Sequence, residues 1–274
     1  MTLSTIRNNP AKQKKVKTKK QKAIAATCAV AFWLLVWHVV SLCVGSELVL
    51  VSPVKVVQTL FTVIFDPDFL KTVWYSAARI LGGFFTALTL GTVLGWVASR
   101  FWVVETLLRP ITAVIKATPV ASFIILVLLW FSGKNLSVII SMLMVFPVIY
   151  MNVLEGIRSA DEKLLEMAQV FRLSVGKKLL YIYLPAVAPF FVSACSVSLG
   201  LCWKSGIAAE VIGTPDGSIG AVFYQAKIFL QTSELLAWTV VVAVSVAFEK
   251  LFMFLLRLVL KKLKMEDVLN GKRA

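Results

Sequence analysis

Long apolar runs alternate with short polar breaks along most of this chain. Six runs, at about 23–44, 73–99, 111–132, 136–154, 182–203 and 235–260, have close to the roughly 20 residues a helix needs to cross a bilayer core. The breaks carry turn and helix-start signals. Ser52-Pro53 and Asp66-Pro67-Asp68 lie in the connection 45–72, a short link with Arg100, Glu105, Arg109 and Pro110 spans 100–110, and Ser132-Gly133-Lys134-Asn135 reads as a tight turn. Residues 204–234, with Gly206, Gly213-Thr214-Pro215-Asp216-Gly217 and Gly220, read as a further connection. One break differs in kind. The segment 155–181 is polar and partly basic, yet Leu164, Met167, Ala168, Phe171 and Val175 recur in it at helical spacing.

This pattern predicts an all-α polytopic membrane fold of about six transmembrane helices. It divides the chain into a basic tail at 1–22, a first helix with its loop at 23–72, a core at 73–260 and a second basic tail at 261–274. Composition agrees. The 274 residues are 59% apolar and 16% charged, against about 25% charged in an average soluble domain, and mean hydropathy is +0.85. The first apolar run is near the length of a full span and follows a long basic region, so it reads as a retained helix rather than a cleaved signal.

The net charge of +15 acquires meaning from its distribution. The first tail holds Arg7, Lys12, Lys14, Lys15, Lys17, Lys19, Lys20 and Lys22, and the last holds Lys261, Lys262, Lys264, Lys272 and Arg273. If the N-terminus is inside, the inner loops add Arg100, Arg109, Lys116, Arg158, Lys163, Arg172, Lys177 and Lys178, and the outer loops only Lys55, Lys71, Lys134, Lys204 and Lys227. The positive-inside rule then puts both termini and the 155–181 insert in the cytoplasm, next to anionic lipid. Nucleic-acid binding is not expected, since the charge hugs the spans and no aromatic residues interleave it in the tails.

A polar helical insert is costly in lipid and belongs in water. Its apolar stripe then needs a cover, either the lipid surface or a groove on a soluble protein. Asp161 and Glu162 stand near its start, where a helix dipole favours negative charge. Pro185 removes a backbone donor as the next span begins. Within the spans, Arg79 either snorkels to the outer interface or faces a solute path, and His38 suits hydrogen-bonded packing before a site. Gly82, Gly83, Gly91 and Gly95 suit close helix contact. Cys28, Cys43, Cys195 and Cys202 read as small buried residues. Lys204 and Glu210 read as solvated rim residues. No phosphate-binding glycine loop, metal cluster or catalytic constellation is present in the sequence.

Glu166-x-Ala168, with Leu184-Pro185 closing the segment, resembles the EAA loop of membrane subunits of bacterial ATP-binding-cassette importers. Met167 stands at the first Ala of that pattern and Arg172 at its Gly. That Gly makes the turn between two short coupling helices, and Arg disfavours the positive φ involved; Gly176 follows. The likeness extends over about 50–255. Ser52-Pro53-Val54-Lys55-Val56-Val57, Ser76 to Phe84, Lys116-Ala117-Thr118-Pro119-Val120-Ala121, Leu129 to Gly133, Glu155-Gly156-Ile157-Arg158 and Ala209-Glu210-Val211-Ile212-Gly213 are similar, in order, to segments of nitrate/taurine/aliphatic-sulfonate permeases.

The resemblance implies the permease fold of a type I importer in a bacterial inner membrane. It implies a cytoplasmic ATPase dimer, an often identical second permease subunit and an extracytoplasmic solute-binding protein. ATP and Mg would sit on the ATPase, with no cofactor on this chain. Leu164, Glu166, Met167, Ala168, Phe171, Arg172, Gly176, Leu184 and Pro185 would form the ATPase-coupling loop, and Arg79 and His38 would be candidates for the path of a small anion. Two other classes stay open: a self-contained secondary transporter or channel, which calls for inverted repeats and intramembrane carboxylates, and a membrane-embedded enzyme, which calls for converging catalytic groups.

Overall fold

The computed structural model describes residues 19–262 apart from 244; most of the two basic tails lies outside the described residues. All regular elements in the described residues are helical. The chain divides into two compact units, Met1–Lys55 and Val56–Ala274.

The first unit carries α1 (Lys19–Val44). Gly45, at φ +66°, ends it in the left-handed conformation that costs glycine little. The Ser41 hydroxyl then donates to the Leu50 carbonyl at 3.0 Å. At Ser52-Pro53 the side-chain oxygen of Ser52 accepts from the Lys55 amide at 3.3 Å, and α2 (Pro53–Ile64) begins with proline in its first turn. The turn signals in 45–72 thus mark a short helix as well as loops.

The second unit is built on three long helices: α3 (Phe69–Arg100), α6 (Gly133–Arg158) and α9 (Leu184–Gly213). Ile80, Phe84 and Ala87 of α3, Val145, Ile149 and Val153 of α6, and Cys195, Leu199 and Cys202 of α9 share one core. Glycine allows the contact between α3 and α6. A Cβ on Gly91 would stand 2.9 Å from the Ile149 Cβ, and one on Gly95 3.0 Å from the Tyr150 carbonyl oxygen. Gly83 is tighter still against the Val138 carbonyl and Ser141, whereas Gly82 faces open space. On the outer side of α3, exposed Thr86 and Thr89 and half-buried Thr92 donate to the carbonyls of Gly82, Phe85 and Leu88, so these hydroxyls are satisfied within the helix.

Two predicted spans change shape. The expected link 100–110 is helical from Trp102 onward and joins the run 111–132 in two helices, α4 (Trp102–Ala117), with Pro110 inside it, and α5 (Val120–Leu128), bent by 106°. Pro119 has no amide hydrogen, and it disfavours α backbone at Thr118, which is extended at φ −86°, ψ 135°. The run 182–203 continues to Gly213, so the first half of the expected 204–234 connection is helical, and α10 (Ile219–Ile228) follows. The last span comprises α11 (Thr232–Ala243) and α12 (Ser245–Lys262). Five helices are long and apolar enough to cross a membrane, or six with α4 and α5 taken as one broken span.

Candidate functional site: the polar insert and the ends of the bundle

The insert between α6 and α9 folds as two short helices, α7 (Glu162–Val170) and α8 (Val175–Lys178). Asp161 caps α7 by accepting from the Lys163 amide at 2.9 Å, and Glu162 adds negative charge to the first turn. Upstream, Arg158 at the end of α6 pairs with Glu105 of α4.

The apolar stripe expected here has two sides. Ala168 is 1% exposed. It faces the chain itself, in a small core with Ala160 and Ile182 that Leu165, Leu173 and Tyr183 flank. It is therefore not part of an outward stripe: it packs against Ile182, in the turn that leads into α9. Leu164, Met167, Phe171 and Val175 are exposed, and so is Val170, which the 3.6-residue pattern did not single out. Phe171, at 71% exposure, and Val170, at 79%, are apolar groups presented to the surroundings from a charged element. Glu166 is exposed beside them.

The turn after α7 settles the position of Arg172. Its φ is +49°, the conformation expected of a Gly. The Leu173 amide donates to the Ala168 carbonyl at 2.9 Å, the Arg172 amide to Gln169 at 3.0 Å, and Leu173 packs against Ala168. These are the two bonds and the apolar contact of a Schellman motif. Gly176 lies beyond the bend, inside α8, with open space around its Cα. Leu184-Pro185 is not a loop end. A five-residue π-helical turn, Leu179–Tyr183, joins α8 to α9, with the Leu184 amide donating to Leu179. The wider turn carries the helix past a proline that offers no donor.

At the opposite end of α9 stands Glu210, fully buried rather than at a solvated rim. The Ser76 hydroxyl of α3 donates to its Oε2 at 2.6 Å, and the Gly220 amide of α10 donates to the same oxygen at 3.3 Å. Ser76 Oγ in turn accepts from the Ile219 amide at 2.9 Å. A side chain on Gly220 would collide with the backbone of Glu210. One carboxylate thus ties α3, α9 and α10. Its buried position was not legible in the sequence, where it follows a long run that appeared to have ended.

Arg79 lies one turn along α3. Its Nη2 donates to Asn135 Oδ1 of α6 at 2.9 Å, its guanidinium sits 5.0 Å from the Tyr75 ring centroid, and its Nε has no partner. His38 is on α1, in the other unit, and its Nδ1 is likewise without a partner. Cys195 and Cys202 are buried as expected, whereas Cys28 and Cys43 are exposed. An open groove of about 340 Å³ runs along α6, walled by Pro147, Met151 and Phe190 and holding Lys116, Asn152 and Glu155. Among the described residues Lys116 Nζ finds only the Met151 sulfur, at 3.5 Å. The sequence groups Lys116 with the inner-loop cations; it stands in the last turn of α4.

Comparison with known proteins bears on both ends of the bundle. The profile of the family described as "Binding-protein-dependent transport system inner membrane component" matches residues 87–265. A Bacillus subtilis (strain 168) protein named for aliphatic sulfonates transport, the permease SsuC, is 30% identical over 214 residues, covering 77% of each chain. The taurine transport system permease protein TauC of Escherichia coli (strain K12) is 28% identical over 76% of this chain and 78% of its own. The nitrate import permease protein NrtB of Synechocystis is 25% identical over 74% of this chain and 76% of its own.

Proposed function

The chain belongs to the family of binding-protein-dependent transport system inner membrane components, among permeases of the nitrate, taurine and aliphatic-sulfonate type, and from this we propose that it forms the membrane path of an ATP-driven importer for a small anion. A second copy of the chain completes the path. An extracytoplasmic binding protein delivers the solute, and two cytoplasmic ATPase subunits, which carry ATP and Mg, drive the cycle. The chain itself binds no cofactor and catalyses no bond change.

One observation carries this reading: α7 buries its inner face on its own chain and presents Leu164, Met167 and Val170 outward, with Phe171 exposed at its C-cap. A helix whose inner face is already packed has its outer face free for another protein. Closure of the ATPases would push this element. Because α8, the π turn and α9 form one helical run from Val175 to Gly213, the push would reach the spans and switch them from inward-facing to outward-facing. Such a switch requires contacts that differ between the two states. The inward bias of Lys and Arg supports cytoplasmic termini and a cytoplasmic insert.

For the path, Arg79 and His38 remain the candidates read from sequence, and the groove adds Lys116 and Asn152. Among the described residues Lys116 makes no ion pair, and with Asn152 it offers donors to an anion in a groove it shares with Glu155. A self-contained transporter would instead use intramembrane carboxylates. Among the described residues the fully buried Glu210 is engaged in holding three helices together, and Glu249, the carboxylate the sequence places in the last span, accepts from the Ser196 hydroxyl of α9 at 3.1 Å.

Phe171→Asp and Met167→Asp test the docking surface. Both residues are exposed, so the chain should reach the membrane in normal amount. Co-purification of the ATPase and solute uptake should both fall at least tenfold. Unchanged co-purification and uptake in both variants would refute the assignment.

A further inference from the structure

We propose that the cleft between the end of α3 and the α7–α8 element binds an anionic phospholipid. The cleft is about 500 Å³. Arg100 of α3 and Lys178 of α8 enter it from opposite elements, and no carboxylate lines it. Neither cation has an ion-pair partner among the described residues. Two positive groups facing one space, with no negative group to neutralise them, select an anion. The remaining wall is amphipathic. Trp96, Ile157, Leu179 and Tyr183 give it apolar and aromatic surface, which a free inorganic anion would not use and a phospholipid would.

The depth of the cleft matches that occupant. Trp96, Phe101, Trp102 and Tyr181 are all exposed and ring this end of the bundle. Aromatic residues of this kind mark the level of lipid headgroups. A phosphate at that level meets Arg100 and Lys178, and its acyl chains run back along Trp96 and Ile157. The orientation proposed above makes this the cytoplasmic leaflet, where anionic lipid is plentiful. The lipid would also brace the π turn against the end of α3, and so stiffen the link between α7 and α9.

The test uses the full-length chain with whatever subunits purify with it, in nanodiscs of phosphatidylcholine with increasing phosphatidylglycerol. Wild type should gain thermal stability as phosphatidylglycerol rises, and inorganic phosphate at matched concentration should not reproduce the gain. Arg100→Gln with Lys178→Gln should weaken the apparent lipid affinity on the order of 30-fold, since each interfacial cation contributes roughly fivefold. Arg109→Gln with Lys177→Gln removes equal charge outside the cleft and should keep the gain. Equal loss in both pairs, or a full gain from phosphate alone, would overturn the site. If the Arg100/Lys178 pair does not fold, a photoactivatable phosphatidylglycerol on wild type decides: adducts at Trp96, Leu179 or Tyr183 support the site, and adducts only elsewhere refute it. Labelling of a Lys177→Cys variant from outside the cell would break the orientation while leaving the lipid contact to be judged by these adducts.

Discussion

Arg172 occupies a backbone conformation that favours glycine, and the reason lies in its neighbours. The Schellman bonds from Leu173 to Ala168 and from Arg172 to Gln169 fix the turn from both sides, so the side chain accepts strain on the order of 1 kcal/mol. Arg172→Gly should therefore preserve uptake and raise the thermal midpoint of the purified protein by an amount corresponding to about 1 kcal/mol, while Arg172→Val should lower it. Leu230, at φ +55° after α10, sits in the same motif, with the Gln231 amide donating to Ala226 at 2.8 Å. Glu210 gives the opposite lesson. Glu210→Ala would strand the Ser76 hydroxyl and the Gly220 amide in a dry interior, at roughly 1–3 kcal/mol for each unpaired group. Glu210→Gln keeps an oxygen for both. Thermal unfolding in detergent should rank wild type and Gln together, well above Ala; equal stability of Gln and Ala would show that the network is not what holds these helices.

At the scale of elements, Ala168 and Phe171 separate two effects that a mutational loss of transport would merge. Ala168 on α7 faces in, and Phe171 at its C-cap faces out. Ala168→Arg should reduce the amount of folded chain, because a charged side chain would enter the core with Ala160 and Ile182. Phe171→Asp should leave that amount unchanged. Immunoblots of membranes alongside uptake assays distinguish the two. The existence of α7, its acidic start and the exposure of Leu164, Met167 and Phe171 were legible from spacing, since an amphipathic helix writes its faces into the sequence, whereas exposed Val170 and inward-facing Ala168 were not. The bend in 111–132 was not. A uniformly apolar run carries no face to track, and Thr118-Pro119 inside it reads equally as a kink or a break. The same blindness hid the extension of α9 to Gly213, because Lys204 and Gly206 resemble loop residues once an apolar stretch has reached about 20 residues. Glycine packing was half legible: four glycines pointed to close contact, and Gly83, Gly91 and Gly95 make it while Gly82 does not. Which face of a lipid-exposed helix meets protein is set by the neighbouring helix, not by local composition.

For the whole molecule, orientation is the property on which the transport cycle depends, and the length of α9 makes it testable at two points. Its 30 residues rise about 45 Å, more than the roughly 30 Å hydrocarbon core. The insert at one end and the Thr214–Gly217 turn at the other therefore emerge on opposite sides. Val170 and Asp216 are exposed at these two ends, so each accepts a reporter without disturbing the interior. Cys195 and Cys202 are shielded at 0% exposure and can stay, while Cys28 and Cys43 are exposed and would be replaced by serine. In intact cells a membrane-impermeant maleimide should label Asp216→Cys and spare Val170→Cys. In inverted vesicles the pattern should reverse. Should Val170→Cys react from outside, the inward charge bias would have to be set by something other than topology, and no cytoplasmic motor could reach α7.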